Sequence, residues 1–164
     1  MSEDRPHPLE GLLTEVLEGR LSVNMGAGSS EAIRVNAEEF VYMERDCEGF
    51  KLLIRSLQRT ADEIWKREQW DIGENSKGLS SADVLVSRFR TKAKNSDDGN
   101  DVHAILEQHF QIVEDIQELH RAIAQRYMET DGEFAARYNE LMAGAPPSVP
   151  LQMPPAFPTS PDLG

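Results

Sequence analysis

From Asn36 onward, apolar residues return at every seventh position in two columns. Phe40, Cys47, Ile54 and Ala61 make the first; Met43, Phe50, Leu57 and Ile64, three residues further on, make the second. Alternating steps of three and four place both columns on one face of a helix. Charged partners such as Glu48/Lys51, Asp62/Lys66 and Glu63/Arg67 stand at helical spacing elsewhere on it. The pattern predicts an amphipathic helix over 37–68, about 45 Å long. Its start is written locally: Asn36 is a good N-cap, Glu39 can reach back to it as in a capping box, and Val35 and Phe40 occupy the two positions of a hydrophobic staple.

Asp71 to Gly78 contains two glycines and an Asn-Ser pair, and reads as a loop. Leu79, Ala82, Val86, Phe89 and Ala93 then predict a shorter helix over 80–94, with Ser80 and Asp83 resembling a capping box. Asn95 to Asn100 breaks it. A second long helix is predicted over 101–131, with Val102, Ile105, Leu106, His109, Ile112, Val113, Ile116, Leu119, His120, Ile123 and Tyr127 on its apolar side. Gly132 interrupts the line, which Phe134, Tyr138 and Leu141 continue toward Gly144. No strand pattern is present. The expected fold is all-α: a long antiparallel helical hairpin with a shorter middle helix and a disordered, proline-rich C-terminal tail.

The ends of the chain differ from this middle. Residues 1–30 hold two prolines, four glycines and one short apolar patch at Leu9, Leu12, Leu13, Val16 and Leu17, which predicts a flexible arm with a short helix. The hairpin domain is expected over 31–143. In residues 144–164, seven of the nine prolines of the chain occur without a lysine or arginine, a composition that supports neither a helix nor a sheet ladder.

At 164 residues there is room for one domain. With 29 acidic and 17 basic residues the net charge is −12, which disfavours nucleic acid as a partner. Mean hydropathy is −0.51 and apolar runs stop at three or four residues, so no membrane insertion is expected. The N-terminus lacks the basic and apolar regions of a cleavable signal peptide.

Candidate chemistry is sparse. Cys47 is the single cysteine, so neither an internal disulfide nor a thiolate metal cluster can be built, and its place in the seam predicts a small core residue. None of the four histidines follows a glutamate by three residues, as a ferritin-like di-iron site requires. His103/Glu107 is one i,i+4 pair, read as a solvated pair rather than a metal site. His109 and His120 fall on the apolar face, where burial makes an interface pH-sensitive. The Asp97–Asp98 loop does not fit an EF-hand, since Gly99 at loop position six puts Lys94 at the first ligand. No nucleophile-elbow, P-loop, dinucleotide-binding or kinase motif occurs. The expectation is a protein that is not an enzyme, with no metal and no cofactor.

Tyr127-Met128-Glu129-Thr130-Asp131 closes the second long helix. Together with the Val35-Asn36-Ala37-Glu38-Glu39 start, the heptad helix, and Trp70 with Gly73 in the following loop, it resembles the WXG/PE-type helical-hairpin proteins of type VII (ESX) secretion, over about residues 35–142. The resemblance implies a small acidic helical protein that pairs as a homodimer or with a helical heterodimer partner. It implies a cytoplasmic protein before export, then a secreted or cell-envelope-associated one. A secretion ATPase would read Tyr127 and Asp131 as the signal, together with the Trp-x-Gly turn of the same chain or a partner. Trp70 and Gly73 match that turn in degenerate form, being separated by two residues rather than one. The pairing interface implied by the seam is Phe40, Met43, Cys47, Phe50, Ile54, Leu57 and Ile64. Tyr42 and Asp46 repeat the Tyr-x-x-x-Asp spacing, but near the start of the first long helix. The alternative reading is a cytoplasmic coiled-coil adaptor or chaperone that binds a partner helix.

Overall fold

A computed structural model describes residues 8–20 and 36–150. Among the described residues the chain forms five helices and no strand: α1 (Glu10–Leu17), α2 (Ala37–Lys66), α3 (Ser80–Ala93), α4 (Val102–Thr130) and α5 (Gly132–Gly144). Val35, residues 1–7 and 21–30 of the expected arm, and residues 151–164 of the expected tail lie outside the described residues.

The two long elements begin where short polar side chains occupy the cap. Asn36 Oδ1 accepts from the Glu38 amide at 2.9 Å, while the Glu39 amide turns to the Asn36 carbonyl at 3.2 Å. Asp101 caps α4 through the Ala104 amide at 2.8 Å and also holds the Ser96 amide at 3.0 Å. α3 starts differently from the capping box its sequence predicts. Leu79 is its N-cap and supplies no side-chain bond, and Asp83 accepts from the Asn75 amide of the preceding loop at 2.8 Å.

α2 and α4 pack along most of their length. Their polar contacts cross in reverse order: Glu44 meets Gln117 and Arg121, while Arg55 and Gln58 meet Glu107 and the His103 carbonyl. The two helices therefore run in opposite directions. α3 packs chiefly on the C-terminal part of α2 and touches α4, with Lys94 paired to Asp62 and Arg90 donating to the Glu68 carbonyl at 2.9 Å.

The last apolar stretch is a helix in its own right. α4 ends at Thr130, Asp131 breaks the run, and α5 folds back onto α2, where Arg137 pairs with Glu38. Phe134 is the anchor, buried with Ala37 and Ala124, and Phe40, Met128, Tyr138 and Leu141 pack around it. α1 lies on α4 and buries Val16 there.

The predicted seam of α2 divides. Cys47, Ile54 and Ala61 are buried, and Phe40 and Leu57 are half-buried. Met43, Phe50 and Ile64 are exposed, Phe50 to 48%. α4 does not sit on the centre of the apolar columns but on their flank, along Glu44, Glu48, Arg55 and Gln58. A polar ladder lines that flank. Gln117, only 1% exposed, donates to the Glu44 carboxylate at 2.7 Å, and Arg121 Nε meets both Glu44 oxygens at 3.0 Å. Further along, Arg55 donates to Glu107 at 2.6 Å and to Gln58 at 2.7 Å, with its guanidinium 3.7 Å from the centre of the Phe110 ring. Charge-assisted bonds are stronger than neutral ones, and a ring stacked on the guanidinium adds a cation–π contact.

Candidate functional site

Tyr127 and Asp131 stand at the junction of α4 and α5. Tyr127 is 37% exposed, and its inner edge belongs to an aromatic cluster. Its ring centre is 6.2 Å from that of Phe40 and 5.6 Å from that of Phe134; Phe40 and Phe134 meet edge to face at 5.7 Å. Such geometries are the favoured ones for aromatic rings. The tyrosine is thus held at a fixed angle with part of its surface in solvent. His120 joins the cluster edge-on to Phe40 at 5.8 Å; its Nδ1 is buried without a hydrogen-bond partner, and burial, opposed by the Glu44 carboxylate, lowers its pKa below the usual histidine value. His109, its companion in the sequence, is exposed.

Asp131 has a structural task that its sequence position hides. An acid at the end of a long helix opposes the macrodipole and adds nothing to stability there. Asp131, however, also opens α5: its Oδ1 accepts from the Glu133 and Phe134 amides, each at 3.0 Å. It is the N-cap of one helix as well as the C-cap of another, so the carboxylate contributes to folding after all. The side chain remains exposed.

Trp70 and Gly73 lie in the loop after α2. The Trp70 ring stacks on Phe89 with centres 5.6 Å apart and planes at 10°, its indole N–H donates to the Arg67 carbonyl at 3.2 Å, and the Arg67 guanidinium lies 5.7 Å from the ring. Gly73 has φ +96, where a side chain is strained, and a Cβ there would also crowd the end of the Leu79 side chain at 3.0 Å. Sequence reasoning overlooked the residue that shapes this turn. The Glu74 carboxylate accepts from the amides of Trp70, Asp71 (3.0 Å) and Ile72 (3.0 Å), led by Trp70, and these bonds hold its pKa down at about 2. The available signal was a glutamate following Trp-Asp-Ile-Gly, where successive amides point the same way in a tight turn.

The turn and the tyrosine lie far apart in one copy. Tyr127 contacts Phe40 in the first turn of α2, whereas Trp70 follows its last turn. The 30 residues of α2 separate these ends by about 45 Å.

The remaining chemical candidates have ordinary surroundings. Burial, with Glu44 as the lesser cause, pushes the Cys47 thiol above its usual value, the direction that weakens a nucleophile. Glu107 is engaged with Arg55 and Gln58, and His103 lies 3.9 Å from Asp62 instead. Asp98 accepts from the Asn100 amide at 2.9 Å and from the Ser96 hydroxyl, as a loop-closing residue does. Among the described residues no three His, Cys, Asp or Glu side chains are grouped to hold a metal ion, and no helix is long and apolar enough to cross a membrane. Compared with protein families, with curated proteins and with solved structures, the chain has no match.

Proposed function

We propose that this protein is a non-enzymatic type VII (ESX) secretion substrate or secretion-associated protein. In this reading α2 and α4 form the helical hairpin, and α3 is its shorter middle element. The protein acts by pairing through the α2 face, as a homodimer or with a helical heterodimer partner, and by presenting Tyr127 and Asp131 to a secretion ATPase. One observation carries the reading: a tyrosine clamped by Phe40 and Phe134 yet 37% exposed, one turn ahead of an exposed carboxylate, at the far end of the second long helix. A rigid ring beside a carboxylate offers a receptor groove an apolar anchor and a charge together. The exposed column of Met43, Phe50 and Ile64 supports pairing, because large apolar side chains in line on one face are an unfilled contact surface. Pairing also answers a geometric need. Trp70 and Tyr127 are at opposite ends of α2, so a receptor that reads turn and tyrosine as one unit requires the turn of a second chain.

The experiment is export from a host carrying the cognate system. Asp131→Asn folds and pairs but stays in the cytoplasm, whereas Tyr42→Phe and Asp46→Asn leave like wild type. Equal export of Asp131→Asn and wild type removes the signal and leaves the cytoplasmic adaptor, binding a partner helix along the same apolar column, as the better account.

A further inference from the structure

α1 is a helix that α4 completes. Its N-cap is Leu9, which offers no side-chain acceptor, and its last turn contains no basic residue. α4 finishes both ends. The Leu9 amide donates to Asp115 Oδ2 at 3.0 Å, and Arg126 Nη2 donates to the Leu17 carbonyl at 2.6 Å. A carboxylate at the N-terminus and a guanidinium at the C-terminus are the signs a helix dipole favours. Eight residues are too few for a helix to persist alone in water, so α1 forms and dissolves with its docking. Its apolar attachment is limited: Val16 is 4% exposed and Leu9 and Leu13 are half-buried, but Leu12 and Leu17 are exposed to 44% and 61%. Among the described residues α1 packs on α4 alone.

The docked end faces the tyrosine described above across a cleft. A cleft of about 470 Å³ separates α1 from the last turns of α4, with Val16 and Gly19 on one side and Ile123, Arg126, Tyr127 and Thr130 on the other. Arg126, which holds the end of α1, is the neighbour of Tyr127 in sequence.

We propose that α1 is a releasable latch: docked, it forms one wall of the cleft beside the Ile123–Tyr127 strip of α4 and narrows the approach to a tyrosine that is only partly exposed, and released, it opens that strip fully to the receptor that reads Tyr127. The inference rests on the export reading and adds its regulation. α1 is suited to this task because its release costs few contacts and leaves the packing of α2, α4 and α5 untouched.

The test uses the full chain with Val16→Asp, which places a charge only in α1, and Arg126→Gln as an independent release from the α4 side. Hydrogen exchange at Leu13, Glu18 and Gly19, whose amides bond within α1, should rise by about tenfold or more in Val16→Asp while α2, α4 and α5 stay within about twofold. Export of both variants should exceed wild type in the host described above. Wild-type protection of α1 in Val16→Asp, or protection lost jointly from α1, α2 and α4, overturns the latch. Export unchanged in both variants overturns its regulatory role. If wild type itself is not exported, the export reading falls and the regulatory role with it, while exchange still decides whether α1 releases independently.

Discussion

Asp131 separates folding from recognition, because two substitutions act on different parts of its chemistry. Its Oδ1 closes two amides of α5 at 3.0 Å, one of them that of Phe134, whose ring is 5% exposed and anchors α5 on the rest. Asp131→Ala removes both bonds, at about 1 kcal/mol for a lost N-cap. Relief of the unfavourable charge at the end of α4 is offset by loss of the favourable one at the start of α5. The net loss of about 1 kcal/mol corresponds to a melting temperature lower by about 4 °C for a domain of this size. Asparagine caps as well as aspartate, so Asp131→Asn should melt within about 1 °C of wild type. Scanning calorimetry with circular dichroism at 222 nm reads both. Equal melting of the alanine and asparagine variants would show that the two cap bonds carry no stability, and the account of the α4–α5 junction would be wrong. With the cap intact, retention of Asp131→Asn in the cytoplasm can be assigned to the lost charge.

Three further outcomes follow. Gln117→Ala removes the buried amide that donates to the Glu44 carboxylate and carbonyl, and should cost about 1–3 kcal/mol in chemical denaturation; a loss well below 1 kcal/mol would show that these bonds do not hold α4 to α2. Phe50→Asp should leave the melting of the isolated chain nearly unchanged, since the ring is 48% exposed, but abolish pairing in light scattering; a dimer that survives it would move the interface off this column. Glu74 has a folded pKa of about 2 against an ordinary value of 4.5, so the unfolded chain binds more protons between these limits. Its contribution is therefore complete above pH 4.5 and lost as pH falls toward 2. The difference in melting temperature between wild type and Glu74→Gln should narrow over that window; a difference independent of pH would contradict the assignment.

The helices themselves were legible from residues near one another. The heptad columns, Asn36, and the Asn-Asp-Gly runs at 71–78 and 95–100 locate α2, α3 and α4 within about two residues, because backbone bonding and side-chain period in a helix are decided within a turn or two. The all-helical class follows from the same local pattern. The side of α2 that meets α4 was not legible. Periodicity marks an apolar face but says nothing of the polar partners along its flank, and here those are Gln117 and Arg121 on Glu44, more than seventy positions away in sequence. For the same reason Met43 and Phe50, equal to Cys47 and Ile54 in the pattern, end in solvent. Asp131 reads as an ill-placed helix-end charge until α5 turns back onto α2 and makes it a cap. α1 depends most on the whole: Asp115 and Arg126 close its ends across 106 and 109 residues of chain, a complementarity that exists only once α4 has folded and the two are side by side.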